Sequence, residues 1–266
     1  LYVESGNLPA GTYTSFIDCA GKGTLDYGGT GTYSIFLPGF TSIPYLYLSG
    51  TGTRILPNTN LTICQRLKID GPTLDNSSNN KKLTILGTME RYNTGAFNSG
   101  SGAGAIVSFA GSTAQTLGGT LGDFTGTNGF NHFEINNTAG LTIGNNTTIE
   151  IKGNLLLTNG IITTTSTNML SVVNTSTSAV IPTGGTSTSY VNGPMTKQFL
   201  NGNSFLYPIG KLAVGKGHDC TITSTAAASS AWTVEYFNPN PTGISTNLNN
   251  PLVVENMLEY WSVNTT

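Results

Sequence analysis

Short apolar runs of strand length recur along this chain, and each one is bounded by residues that favour sharp turns. The clearest runs are residues 45–48, 61–69, 83–86, 106–109, 133–135, 141–143, 148–151 and 155–157. Between them stand pairs such as Gly28-Gly29 and Asn145-Asn146, which allow positive φ at tight corners. The pattern predicts strand, corner, strand, repeated many times.

The composition agrees with an ordered, all-β chain. Only 9% of the residues are charged, against about 25% in an average globular protein, while 37% are hydrophobic. Thr, Val, Ile, Tyr and Phe favour a pleated surface, and the Ala, Leu, Glu and Lys runs that build helices are missing. A net charge of −2 without a basic cluster gives no match to a phosphate backbone, so nucleic acid is not an expected partner.

An internal repeat indicates how the strands are arranged. Residues 24–29 align with residues 106–111, a shift of 82 positions, and residues 45–50 and 61–63 align with 132–137 and 149–151 at shifts of 87 and 88. Such periods are typical of arrays in which one unit buries its apolar face only by stacking on the next. We therefore expect a right-handed parallel β-helix, or β-solenoid, with internal copies at about residues 24–69 and 106–157. Tandem β-sandwiches are the alternative.

The composition and motif pattern of the sequence change near residue 186. We expect β-solenoid repeats over residues 1–186 and a smaller β module over residues 187–266. Residues 183–189 are Gly-, Ser- and Thr-rich, which fits either a linker or a last turn before the module. Residues 232–237 and 257–263 are predicted strands, and the second is expected to lead into further chain beyond this fragment.

Three cysteines, Cys19, Cys64 and Cys220, leave one over whatever pairs. Cys19 and Cys64 are a candidate disulfide; the alternative is that all three are small buried hydrophobic residues. No CxxC spacing is present, so we expect no zinc site.

The sequence offers few residues for histidine-dependent catalysis. His132 and His218 are the only histidines, and no Gly-x-Ser-x-Gly motif holds a nucleophile. We expect His132 to be a solvated ring beside a strand and His218 to lie in a turn.

The 13 acidic residues are scattered, and their nearest approach to a site is Asp70 with Asp75, close to Arg66. A cleft there could bind sugar or calcium; the alternative is a solvated polar corner, because Gly71-Pro72 marks a turn. We predict no catalytic residue, no metal site and no cofactor, with calcium as the one ion to consider.

Several motifs occur in an order that is typical of a known family of proteins. They are residues 106–112, 133–143 and 153–162, followed by residues 190–195 and 205–210. In these the chain resembles the large, repetitive, type IX-secreted cell-surface proteins of gliding Gram-negative bacteria. The resemblance implies export by the outer-membrane secretion machinery, an extracellular location and a role in adhesion or gliding motility. The three cysteines and the stretch 36–40 depart from the usual pattern.

Taken together, the sequence predicts a non-enzymatic structural or adhesive segment of a secreted surface protein. Extracellular glycans or surface proteins are the expected partners, and no apolar run is long enough to span a membrane. Two alternatives stay open. One is a β-helical polysaccharide lyase or glycoside hydrolase with its site around Arg66, Asp70 and Asp75, and the other is a carbohydrate-binding module of such an enzyme.

Overall fold

The computed structural model describes residues 1–120, 123–225, 229–238 and 259–265, and it is nearly all-β, with 47% strand and 3% helix. Its elements in chain order are β1 (Tyr2–Val3), α1 (Thr14–Ile17), β2 (Thr24–Tyr27), β3 (Tyr33–Ser34), β4 (Ser42–Leu48), β5 (Thr53–Ile55), β6 (Leu61–Asp70), β7 (Thr73–Asp75), β8 (Leu83–Ile85), β9 (Thr88–Tyr92), β10 (Ala96–Asn98), β11 (Ile106–Phe109), β12 (Gln115–Gly118), a single-turn 3-10 helix (Gly126–Asn128), β13 (His132–Asn136), β14 (Leu141–Ile143), β15 (Ile149–Ile151), β16 (Leu155–Asn159), β17 (Ile162–Thr163), β18 (Leu170–Val172), β19 (Val180–Ile181), β20 (Val191–Asn192), β21 (Met195–Phe199), β22 (Ser204–Tyr207), β23 (Ile209–Lys211), β24 (Gly215–Lys216), β25 (Cys220–Thr223), β26 (Ser230–Phe237) and β27 (Tyr260–Thr265).

These strands form a parallel β-solenoid of about 9 turns. A typical turn, here called a coil, contributes a strand to each of three faces. The first face runs from the start of β6 through β8, β11, β13, β16 and β19, and the second runs through β2, β4, the end of β6, β9, β12, β14, β17, β20 and β23. The third face begins with β3, β5, β7 and β10 and continues with β15, β18 and β21. The predicted parallel β-solenoid is confirmed, and antiparallel β-sandwiches do not describe it.

Alternation along each strand explains the stacking. Every second residue points inward, and the parallel register places like residues above one another in successive coils. On the first face, Ile63, Ile85, Phe109, Ile135 and Leu157 form one such buried column. Each buried side chain of this size contributes about 1.5–3 kcal/mol, so the narrow interior is held together by coil-to-coil apolar contact.

The structural repeat is the single coil, and its length varies. Paired positions on the second face are 21 residues apart from Leu141 to Ile162, 29 from Ile162 to Val191 and 18 from Val191 to Ile209. The strands that the sequence aligns at longer shifts lie on different faces: β2 is on the second face, whereas β11 is on the first. The extra residues lie in the corners, outside the paired strands.

Parallel stacking continues past residue 186. β20 and β21 still pair in parallel with the coil before them. Pairing then becomes antiparallel between β21 and β26, β22 and β25, and β26 and β27. The change of pairing therefore falls within the predicted module of residues 187–266. The predicted strand at 232–237 is part of β26, and the one at 257–263 lies partly outside the described residues.

Candidate functional site

The structure separates the three residues singled out as a possible sugar or calcium site. Arg66 and Asp70 lie in β6 and face outward on the second face, whereas Asp75 lies beyond the Gly71-Pro72 corner, in β7 on the third face. The Asp75 carboxylate accepts a hydrogen bond of 2.9 Å from the backbone N–H of Ser77. Asp75 therefore stabilises a turn, as the polar-corner alternative expects, and does not join Asp70.

Asp70 is the centre of a cluster on the second face. Its Oδ2 accepts hydrogen bonds from Lys68 Nζ at 2.7 Å and from the Tyr47 hydroxyl at 2.7 Å. The Lys68 ammonium lies 4.3 Å from the centre of the Tyr47 ring and 4.7 Å from that of Tyr92. These cation–π contacts join the coil before Lys68 to the coil after it.

A second ion pair extends the cluster to the next coil. Arg66 donates from Nε to Glu90 Oε2 at 2.8 Å, and the Tyr92 hydroxyl donates to the same oxygen at 3.3 Å. We call the six side chains that line this outer surface the polar ladder. They are Tyr47, Arg66, Lys68, Asp70, Glu90 and Tyr92.

Electrostatics fix the protonation state of the polar ladder. Partial burial raises the pKa of Asp70, but hydrogen bonds from Lys68, Tyr47 and Asn93 outweigh it and bring the pKa below its usual value. Burial lowers the pKa of Lys68, but its interactions with Asp70 and Tyr47 outweigh that effect and raise the pKa above its ordinary value. An ionised carboxylate that already accepts several hydrogen bonds is poorly suited to act as a general acid, which needs a raised pKa. The arrangement suits cross-linking of coils better than proton transfer.

The first face uses its charges in the same way. Glu134 accepts hydrogen bonds from Lys82 Nζ at 2.6 Å and from the Thr158 hydroxyl at 2.9 Å. His132 is half-buried rather than solvated as expected from sequence, and its Nδ1 accepts the N–H of Asn154 at 3.0 Å. Burial lowers the pKa of His132. His218 lies exposed after Gly217 and pairs with Glu259.

Sequence reasoning missed the buried cations, of which Arg54 and Lys197 are the most completely enclosed among the described residues. Arg54 is fully buried and donates hydrogen bonds to five backbone carbonyl oxygens, those of Tyr27, Gly28, Gly29, Gly31 and Ser49. Its guanidinium also lies 4.4 Å from the centre of the Tyr33 ring. Arg54 thereby satisfies a corner whose carbonyls would otherwise be buried without partners.

Lys197 is a second fully buried cation. It is fully buried in β21, where Nζ donates to the backbone carbonyl of Asn174 at 2.6 Å. Its ammonium lies 5.2 Å from the ring centres of both Phe199 and Phe205. Burial lowers the pKa of Lys197 to about 8. Neither Arg54 nor Lys197 is distinguished from a surface cation by its neighbours in sequence.

Cys19 and Cys64 form a disulfide, with 5.4 Å between their Cα atoms. Cys19 follows α1, whose Ile17 is buried in the core, and Cys64 lies in β6 at the corner between the first and second faces. The bond fixes the N-terminal segment against the solenoid. Cys220 is a free thiol.

Two of the grooves in the described part of the chain lie at corners of the solenoid. One, of about 520 Å³, lies beside the disulfide and is lined by residues that include Gln65, Gly87 and Gly111. The other, of about 360 Å³, lies between the second and third faces, next to the polar ladder at Tyr92.

The fold defines the class of protein as a parallel β-solenoid. Comparisons with known protein families, with curated proteins and with solved structures found no match to this chain. Within the described ranges, no three His, Cys, Asp or Glu residues are grouped so that they could hold a metal ion. No helix in the part of the chain that the structure describes is long and apolar enough to cross a membrane.

Proposed function

We propose that this chain is a non-enzymatic structural and adhesive segment of a large secreted cell-surface protein, located outside the cell. The observation that carries the proposal is that charged side chains on the outer faces pair with each other between coils. Glu90 with Arg66, and Glu134 with Lys82, each bridge different coils. Side chains that could otherwise serve chemistry cross-link the stack.

The architecture supports a role in presenting an extended surface to another molecule. Stacked coils contact only their neighbours, and they produce extended, regular surfaces of the kind that repeat proteins use for binding. The parallel register continues from β2 to β23 along the second face. A surface of this kind suits contact with another extended molecule.

The disulfide supports the proposed location. Disulfides persist in oxidising compartments, such as the extracellular space, and are rare in the cytosol. The bond between Cys19 and Cys64 agrees with export, as does the resemblance to type IX-secreted surface proteins involved in gliding. The secretion machinery of the outer membrane would then be a transient partner of the chain.

The proposal is tested by exposing the purified chain to a panel of neutral and acidic polysaccharides and measuring two quantities together. One is the release of reducing ends or unsaturated sugar products, and the other is retention of chain-coated beads on films of the same polysaccharides. We expect retention without cleavage. Cleavage that Asp70→Asn or Arg66→Ala abolishes would replace the proposal with a β-helical polysaccharide enzyme.

A further inference from the structure

The groove next to the polar ladder has the features of a binding slot. It is lined by Tyr92, Gly119, Thr120, Asn145 and Asn146, and we call it the corner slot. Its volume of about 360 Å³ is near the lower end for ligand sites, which fits a single ring rather than a long chain segment.

The half-buried Tyr92 side chain forms part of the wall of the corner slot. The Lys68 ammonium covers the ring from the side of β6, the strand before β9 in the sheet. On the other side, Gly118 at the end of β12 pairs with Glu90, so the parallel register places Thr120 next to Tyr92. Thr120 also lines the corner slot, so the side of the ring away from Lys68 faces the slot beside a small polar side chain.

Close backbone packing fixes the chain at the edge of the corner slot. Gly119 has φ +137°, and a Cβ placed there would approach the carbonyl oxygen of Arg91 to 2.0 Å. A Cβ at Gly118 would lie 3.2 Å from Nδ2 of Asn145. A larger residue does not fit at Gly119 without movement of the backbone, which fixes the path of the chain at the edge of the corner slot.

The opposite wall of the corner slot is polar and uncharged. Asn145 and Asn146 are both exposed and have φ of 59° and 53°. Their amides and the Thr120 hydroxyl form no hydrogen bond with any residue that the structure describes. An Asn side chain offers two donor hydrogens and an acceptor oxygen, which matches the mixed donors and acceptors of sugar hydroxyl groups.

We propose that the corner slot binds one uncharged sugar ring of a polysaccharide. The apolar C–H face of the ring packs on Tyr92, while its hydroxyl groups bond with Asn145, Asn146 and Thr120. An acidic sugar is disfavoured, because the slot is lined by no cation and the Tyr92 hydroxyl already donates to the Glu90 carboxylate. The inference rests on the proposed adhesive function and names its ligand class.

The test uses the full chain on an array of neutral and uronic-acid oligosaccharides, followed by calorimetric titration with the soluble form of the best neutral glycan. We expect Tyr92→Ala and Asn146→Gly each to weaken binding at least about tenfold, equivalent to 1.4 kcal/mol. The second variant keeps the positive φ that glycine tolerates, so it tests the slot even if loss of the tyrosine disturbs folding. Tyr45→Ala, a half-exposed tyrosine on the same face, is the matched control and should bind as the unmodified chain does.

Each other outcome is decisive. Binding confined to uronic acids, no binding to neutral glycans, or binding that neither slot variant weakens would overturn the corner slot. Beads that still adhere with the slot variants would leave the adhesive role standing and place the contact elsewhere. Cleavage of the glycan would instead remove the proposed function itself.

Discussion

The buried ammonium of Lys197 should give folding stability an unusual dependence on pH. The side chain is fully enclosed, and burial lowers its pKa from 10.5 to about 8. In the unfolded chain the same group is solvated and titrates near its ordinary value. Between these two values the unfolded chain therefore binds more protons than the folded one.

The sign and size of the effect follow from linkage between proton binding and folding. Where the unfolded state binds more protons, the free energy of unfolding rises with pH, by up to about 1.4 kcal/mol per unit for one group. Below pH 8 both states are charged, and the full cost of burying the ammonium is present. Between pH 8 and 10 that cost falls by about 2 kcal/mol.

Substitution of Lys197 by Met isolates this contribution. Other groups also titrate at alkaline pH: burial raises the pKa of Cys220 and of Tyr27, which opposes the effect of Lys197 as pH rises. They are common to both chains, so the difference in unfolding free energy between the parent and Lys197→Met removes them. The lost hydrogen bond to Asn174 gives an offset that is the same at every pH.

The assay is urea unfolding followed by circular dichroism at half-unit steps from pH 7.5 to 10. The parent should gain about 2 kcal/mol relative to Lys197→Met over that interval. Lys81→Met, at a half-exposed surface lysine, should show no such relative change. A flat difference between the parent and Lys197→Met would refute the reasoning, because it would mean that the buried amine keeps an ordinary pKa.

Three further outcomes are expected. Replacing both Cys19 and Cys64 by Ser should lower the free energy of unfolding by about 4 kcal/mol, the loop-entropy value for a separation of 45 residues; reductant should cause the same loss in the parent and none in the variant. Asp70→Asn should cost about 1–3 kcal/mol at pH 7 in urea unfolding. Since the folded-state pKa of Asp70 is depressed, the parent should lose this stability as pH falls below about 4, whereas the variant should show a weaker acid dependence. Gly71→Ala should destabilise by about 1–3 kcal/mol or more, because φ is +113° and a Cβ would lie 2.2 Å from the carbonyl oxygen of Gly50; a melting temperature equal to that of the parent would contradict the corner geometry.

Strand positions were predictable because they depend on local pattern. Residues 141–143 match β14, and residues 61–69 lie within β6, since alternating burial and turn residues are visible in a short window. The assignment of strands to faces was not predictable in the same way. All three faces carry the same alternation, and coil length varies, so alignment of residues 24–29 with 106–111 joined strands of different faces.

The candidate site depended on register, which the sequence does not display. Arg66 and Asp70 share a face because they lie four residues apart in one strand. Asp75 was grouped with them by closeness in sequence, but the corner at Gly71-Pro72 turns it onto another face. The corner slot brings Tyr92 near Asn145 and Asn146, more than 50 positions later in the chain. Only the stacking of coils creates that proximity.

The stacked-coil architecture allows such a chain to gain or lose whole coils during evolution. Because insertions fall in corners and each coil pairs only with its neighbours, duplication or loss of a whole coil leaves the remaining register intact. Each coil adds one strand spacing of about 4.8 Å along the stack, so the height of the solenoid changes in fixed increments. The length of the outer faces is therefore set by the number of coils that the gene encodes.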